Sequence, residues 1–221
     1  MQTCRSCGER NPDRARFCMM CAMPLRASAS VGETRKVVTI LFADVKGSTA
    51  IGERLDPEAV RRVLATFYAS AREALERHGG TVEKFIGDAV MAVFGVPRVH
   101  EDDAARGVRA AWALLDVMAN MNSELAERYG AELQLRIGVN TGEVVAGDPG
   151  TGSSFVAGDA VNVAARLEGE AEPGTVVIGA ATYAAIAAEA VVEPLGDLEL
   201  KGKELPVRAY RLVSMSDVEQ T

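Results

Sequence analysis

The chain has 221 residues, 48% of them hydrophobic and 25% charged, with a formal net charge of −7. That make-up belongs to an ordinary globular protein able to bury a core without disulfide staples, and the acidic balance argues against a nucleic-acid-binding surface. The strongest apolar run, Val37 to Phe42, is strand-sized and contains Thr39, and the N-terminus has Cys and Arg where a secretion signal has an apolar core; no membrane helix and a cytoplasmic location are expected.

All four cysteines fall in the first 21 residues, as the pairs Cys4/Cys7 and Cys18/Cys21, each Cys-x-x-Cys. In a reducing compartment such clustering favours a metal over disulfides, and four thiolates in two knuckles close a tetrahedral Zn²⁺ site. A segment this short cannot fold by apolar burial, so one structural Zn²⁺ would supply its stability. The competing reading is a set of free or redox cysteines. Gly8 follows the first knuckle, where a tight turn calls for a residue tolerant of positive φ. With Gly8, Asn11-Pro12 and Ala15-Arg16-Phe17 around the knuckles, residues 1–25 resemble a bacterial zinc ribbon. Such a ribbon offers a surface to a protein partner that the sequence does not identify. Residues 26–35, small and polar, read as a flexible linker.

From residue 36 to 213 the hydrophobic patterning is strong and reads as one larger domain. Val37–Ala43 is predicted as a buried strand, and Pro57–His78 as a helix, with Val60, Leu64, Phe67 and Ala71 at helical spacing and Gly79-Gly80 ending it. Thr81–Ile86 and Ala89–Phe94 read as strands of a hairpin around Gly87-Asp88. Glu101–Tyr129 reads as a second long helix, and Leu133–Asn140 with Glu143–Ala146 as a further hairpin turning at Thr141-Gly142. A helix over Asp159–Glu168, strands over Val176–Ile178, Val191–Leu200 and Val207–Leu212, and a short helix over Ala180–Ala188 follow, before a polar tail at 214–221. The order β-α-β-β-α-β predicts an α+β fold with a ferredoxin-like core and C-terminal additions.

Asp44 follows the first strand of this domain and Asp88 occupies its first hairpin. In a ferredoxin-like core those two places are neighbours, so both carboxylates can serve one site. Paired carboxylates suit hard divalent ions that also bind phosphates, although an Asp at a strand end or hairpin is commonly a turn residue.

Four blocks give these residues a context: Leu-Phe-Ala-Asp-Val-Lys-Gly-Ser-Thr (41–49), Lys-Phe-Ile-Gly-Asp-Ala-Val-Met-Ala-Val-Phe-Gly (84–95), Leu-Arg-Ile-Gly-Val-Asn-Thr-Gly (135–142) and Gly-Asp-Ala-Val-Asn-Val-Ala-Ala-Arg-Leu (158–167), with Lys-Gly-Lys (201–203) after them. In content, order and spread they resemble the catalytic domain of class III nucleotidyl (adenylyl/guanylyl) cyclases. The resemblance implies that Asp44, Asp88 and the backbone carbonyl of Val45 hold two Mg²⁺ or Mn²⁺ ions. It implies too that Asn162 orients the ribose and Arg166 stabilises charge on the α-phosphate. Those two residues are four apart on a predicted helix and so share a face. Arg136 and Lys201 match triphosphate-binding positions, with Lys203 as a substitute for Lys201.

Lys84 matches the base-selecting position. A lysine donates to adenine N1, whereas guanine carries a proton there, so Lys84 argues for ATP over GTP. Phe155 departs from the pattern, standing where the family has Asp, Thr or Ser to read the base. The resemblance further implies a homodimer with sites shared across its two-fold axis. The expected function is cyclisation of ATP to 3′,5′-cyclic AMP and pyrophosphate; a guanylyl cyclase and a weakly active regulatory pseudo-cyclase are the alternatives.

Overall fold

A computed structural model of the chain describes residues 2–4, 7–12, 15, 18–21, 34–47, 51–52, 55–147, 156–200, 203 and 205–216. The N-terminal segment folds around a small antiparallel pair, β1 (Gln2–Thr3) and β2 (Arg10–Asn11), with Gly8 at φ +76° in the turn between them. That is the backbone geometry only glycine adopts without strain.

The larger unit runs β3 (Thr34–Lys46), α1 (Pro57–Arg77), β4 (Thr81–Ile86), β5 (Ala89–Phe94), α2 (Asp103–Tyr129), β6 (Gln134–Ala146), β7 (Val156–Ala157), α3 (Asp159–Glu170), β8 (Thr175–Gly179), α4 (Ala180–Ile186), β9 (Ala190–Leu198) and β10 (Val207–Met215). Its sheet has the order β4-β5-β3-β6-β8-β10-β9, with β7 added to β6; among the described residues only the β6–β8 pair is parallel. The first four strands therefore form the expected ferredoxin-like core of an α+β fold, and β8 to β10 extend it.

Period-two alternation along β3 divides the core. Leu41, Ala43 and Val45 face α1 and α2, packing with Phe67, Leu75 and Leu114. Val38 and Ile40 face the other way, with Met91, Val93, Val144 and, from α3, Ala160 and Ala164. Asp56 caps α1 by accepting the Ala59 N–H at 2.8 Å, and Pro57 opens the first turn. Gly138 lets α3 lie directly on β6: a Cβ there would sit 2.2 Å from the Glu168 nitrogen and 2.4 Å from the Ala164 oxygen. Among the described residues no helix is long and apolar enough to cross a membrane.

Several sequence-based boundaries change, and three of the changes alter strand pairing. The expected hairpin at Thr141-Gly142 does not exist; β6 continues through it and pairs with β3 from Thr34↔Ala146 to Lys46↔Gln134. Gly142 serves close packing instead, since a Cβ there would lie 2.8 Å from that of Ala160. The last two residues of the segment read as linker, Thr34 and Arg35, belong to β3, and Arg35 pairs with Glu143 at 2.6 Å. At the other end Ser214 and Met215 pair with Val191 and Ala190, so the strand takes two residues from the expected tail.

Candidate active site

Asp44 lies inside β3 rather than after it, opposite Ala89 of β5 and Arg136 of β6. The neighbouring Val45 N–H donates to the Asp88 carbonyl at 3.3 Å. Strand register thus brings the two aspartates to one end of the β3–β5 pair, as the fold expectation required. The Val45 side chain is buried on the opposite side, toward the helices.

The alternation that buries Val45 turns Asp44 to the α3 face, where charges converge. Asp44 Oδ2 is 3.2 Å from Lys46 Nζ and 3.2 Å from Arg136 Nη2, and Arg136 Nη2 is 2.7 Å from Glu168 Oε1 of α3. A hydrogen bond from Arg136 Nη1 to the Gly169 carbonyl, 3.2 Å, also ties the guanidinium to α3. The Asp44, Arg136 and Glu168 side chains are 17%, 20% and 15% exposed, so these pairs are far less screened than surface ones. Burial pushes the Glu168 carboxyl above its ordinary range, Arg136 opposes the shift, and Asp44 reinforces it.

Asp88 sits on a hairpin that α1 holds in place. The Tyr68 hydroxyl donates to the Gly87 carbonyl, and its ring lies 4.6 Å from that of Phe85, which carries Arg72 over its face at 5.2 Å. Burial first, then the Asp88 charge, raises the Tyr68 phenol.

On α3, Ala160, Val163, Ala164 and Leu167 point into the core, leaving Asn162 exposed and Arg166 half-buried one turn apart on the outer side. Neither side chain forms a hydrogen bond or ion pair among the described residues. Lys84 lies in β4 opposite Met91, with its ammonium 3.3 Å from Glu83. Lys203 reaches Asp159, the first residue of α3, at 2.6 Å. Phe155 and Lys201 lie outside the described residues. Sequence reasoning passed over Tyr68 and Glu168. Tyr68 follows Phe67 on an apolar helix face and reads as packing, and Glu168 reads as the solvated end of a helix.

Two sets of donors fit metals. The Asp44 and Asp88 carboxylates are hard oxygen donors, one in β3 and one in the turn that leads into the paired β5, the kind that divalent ions such as Mg²⁺ take. At the N-terminus the four cysteine Sγ atoms lie within 4.8 Å of one another, with Cys4–Cys21 at 3.6 Å and Cys7–Cys18 at 3.5 Å, and no disulfide forms. A tetrahedral zinc with bonds of about 2.3 Å spaces its sulfurs by about 3.8 Å, so the cluster matches that ion. The backbone N–H of Cys21 points at Cys18 and, against burial, brings its thiol down to about 6, with help from the Met20 N–H. Cys7 is pushed to about 12 although the Glu9 backbone N–H acts to lower it; the Cys21 thiol is the largest of the effects that raise it.

Comparison with known proteins agrees with this geometry. The family described as "Adenylate and Guanylate cyclase catalytic domain" matches residues 31–214. Adenylate cyclase 1 of Rhizobium meliloti is 31% identical over 186 residues, 82% of this chain but only 28% of that protein, and the chain spans well under half the length of the first curated relatives it matches. Among solved structures, the adenylyl cyclase CyaB from P. aeruginosa superimposes with a TM-score of 0.79 at 30% identity, covering 83% of this chain and 97% of that one. The guanylyl cyclase Cya2 gives the same TM-score of 0.79 and identity of 30%, covering 86% and 98%.

Proposed function

The chain belongs to the adenylate and guanylate cyclase catalytic-domain family, and from that premise we propose that it is an adenylyl cyclase, converting ATP to 3′,5′-cyclic AMP and pyrophosphate at the interface of a homodimer. One observation carries the reading. Register brings Asp44 and Asp88 together on the sheet, while Asn162 and Arg166 stand on the outer side of α3 without partners among the described residues. Polar groups so displayed suit donation to a neighbouring subunit, and two-fold symmetry then gives two equivalent sites.

Asp44, Asp88 and the Val45 carbonyl would hold two Mg²⁺ or Mn²⁺ ions, which when bound supply Lewis-acid activation of the attacking hydroxyl and of the phosphates. The chain's own residues do the rest. Arg166 brings its guanidinium to the charge that grows on the α-phosphate, and Asn162 orients the ribose. Arg136 and Lys201 take the outer phosphates. Arg136 therefore exchanges its carboxylate partners Asp44 and Glu168 for phosphate oxygens when nucleotide binds. The equal likeness to an adenylyl and a guanylyl cyclase leaves the base to local chemistry, and there Lys84 favours adenine N1, with Phe155 stacking against the ring. The four cysteines bind one structural Zn²⁺ in a ribbon over residues 1–25, joined to the catalytic domain by a short linker. Its thiols fit a reducing, cytoplasmic setting, and the ribbon offers a surface to a protein partner.

Purified chain with Mn²⁺ should form cyclic AMP from ATP in preference to cyclic GMP from GTP. Asp44→Ala and Arg166→Ala should each be inactive as homodimers. Mixed in equal amounts they should recover about a quarter of wild-type activity, since half the dimers then hold one intact site of two. Absence of any cyclic nucleotide, or absence of rescue, would overturn the shared-site reading; preference for GTP would reassign the substrate.

A further inference from the structure

β4 carries a bulge. Val82 pairs with Ala92 and Lys84 with Met91, so Glu83 is an extra residue with no opposite number. Bulges re-aim a side chain at the point where two consecutive residues oppose one. The Glu83 carboxylate is 2% exposed, and neither oxygen has a hydrogen-bond partner among the described residues. The charge beside it is the Lys84 ammonium, 3.3 Å from Oε1 but not aligned as a hydrogen bond.

Burying a carboxylate is unfavourable unless it is paired, and a strand interior would gain more from a β-branched residue. A purely structural account leaves both features, the bulge and the buried acid, unexplained. They make sense together if the acid acts on its neighbour. Lysine ends in a compact charge with three donors on a flexible four-carbon stem, and a flexible stem is a poor reader of one purine atom. An adjacent fixed carboxylate removes that freedom and keeps the ammonium directed.

We propose that Glu83 is a positioning residue that sets nucleotide selectivity by holding the Lys84 ammonium where the purine edge is read. The inference rests on Lys84 being the base reader. With Glu83 in place Lys84 presents a donor to the acceptor N1 of adenine and repels the N–H of guanine. Without it the ammonium loses this carboxylate, and the discrimination fades while the rest of the site is untouched.

The test uses the full chain with Mn²⁺ and compares Glu83→Gln, Glu83→Asp, Lys84→Ala and the double variant Glu83→Gln/Lys84→Ala. For each, kcat/KM is measured with ATP and with GTP, and the affinity ratio is measured by displacement of a fluorescent nucleotide. Glu83→Gln should lower the ATP:GTP ratio about tenfold, with the loss falling on KM for ATP. Glu83→Asp should restore part of it, and the double variant should be no less selective than Lys84→Ala. If Lys84→Ala changes the ratio and Glu83→Gln leaves it alone, or lowers both nucleotides equally, Glu83 is not a positioning residue. If Lys84→Ala leaves the ratio unchanged, Lys84 does not read the base and the role of Glu83 falls with it. For any variant too slow to assay, the displacement ratio distinguishes the same outcomes.

Discussion

Arg136 stands directly opposite Asp44 across the β3–β6 pair, and its guanidinium bridges that carboxylate, at 3.2 Å, to Glu168 on α3, at 2.7 Å. One cation thus links the strand that bears a proposed metal ligand to the helix that bears Asn162 and Arg166. Lys46 adds a second positive charge at Asp44, 3.2 Å away. These two side chains offset the Asp44 charge, so an incoming cation competes with them for the carboxylate.

Removing Arg136 should expose that competition. Arg136→Ala leaves two poorly solvated carboxylates facing each other, and breaking such a pair should lower the unfolding free energy by about 2–3 kcal/mol. Mn²⁺ should restore more stability to Arg136→Ala than it adds to the wild type, because the ion fills the vacated role. Urea denaturation with and without Mn²⁺ checks both statements, and an equal response in the two proteins would remove the bridge from the account.

Tyr68 should matter through metal binding rather than through folding. Its hydroxyl donates to the Gly87 carbonyl, one residue before Asp88, so Tyr68→Phe frees the tip of the hairpin while keeping the ring on Phe85. Groups one step removed from a metal ligand commonly tune affinity, and the half-saturating Mn²⁺ concentration should rise roughly fivefold. A titration of activity against Mn²⁺ reads this directly. An unchanged midpoint would mean that the hairpin is held by packing alone.

How much of this was legible follows from the range of each signal. The Asp44–Asp88 neighbourhood could be read because a short hairpin and a ferredoxin-like strand order are local or topological facts. The continuity of β6 through Thr141-Gly142 could not, since Gly142 there answers to Ala160 on the following helix, a contact outside the local turn. Thr141 likewise bonds Thr39 at 2.8 Å and Thr182 at 3.0 Å, partners that no turn rule contains. Glu168 and Glu83 were missed for one reason: an acidic residue in a helix or strand reads as solvated until the fold shows what buries it. The gathering of the four cysteines into one cluster was legible, because their spacing is one local pattern.

The glycines of α3 and β6 separate packing from propensity. Gly138→Ala would drive a Cβ to 2.2 Å from the Glu168 nitrogen, a backbone atom that cannot step aside without moving α3. The expected loss is about 3 kcal/mol or more. Gly169→Ala, on the same helix, meets nothing within 4 Å and should stabilise by about 0.5–1 kcal/mol through helix propensity. Paired thermal melts decide it; similar effects from the two substitutions would mean that the helix does not sit this close to the strand.

His78, the residue that ends α1, gives the fold a pH dependence of definite sign. Burial first, then Arg77 and Arg109, hold its imidazole below the ordinary value of 6.5. As pH falls through that value the unfolded chain takes up the proton before the folded one does. The contribution to stability is therefore present above pH 6.5 and lost below it. Urea midpoints of the wild type should fall between pH 7.5 and 5.5 more steeply than those of His78→Gln. Parallel slopes would assign the acid sensitivity to other groups.

Zinc should be a property of the first residues alone. The four sulfurs already stand at spacings close to those of a bound tetrahedral ion, and Asn11 braces them by donating to Cys18 Sγ at 3.6 Å and accepting from the Met19 N–H at 2.9 Å. Purified chain should hold about one zinc per molecule by elemental analysis, and Cys18→Ser should lose it, since three thiolates and a hydroxyl bind this ion far less tightly. The larger domain has its own core between sheet and helices, so its main thermal transition should persist in Cys18→Ser and after chelation. Loss of that transition together with the zinc would show that the ribbon is part of the catalytic domain's stability rather than an appendage to it.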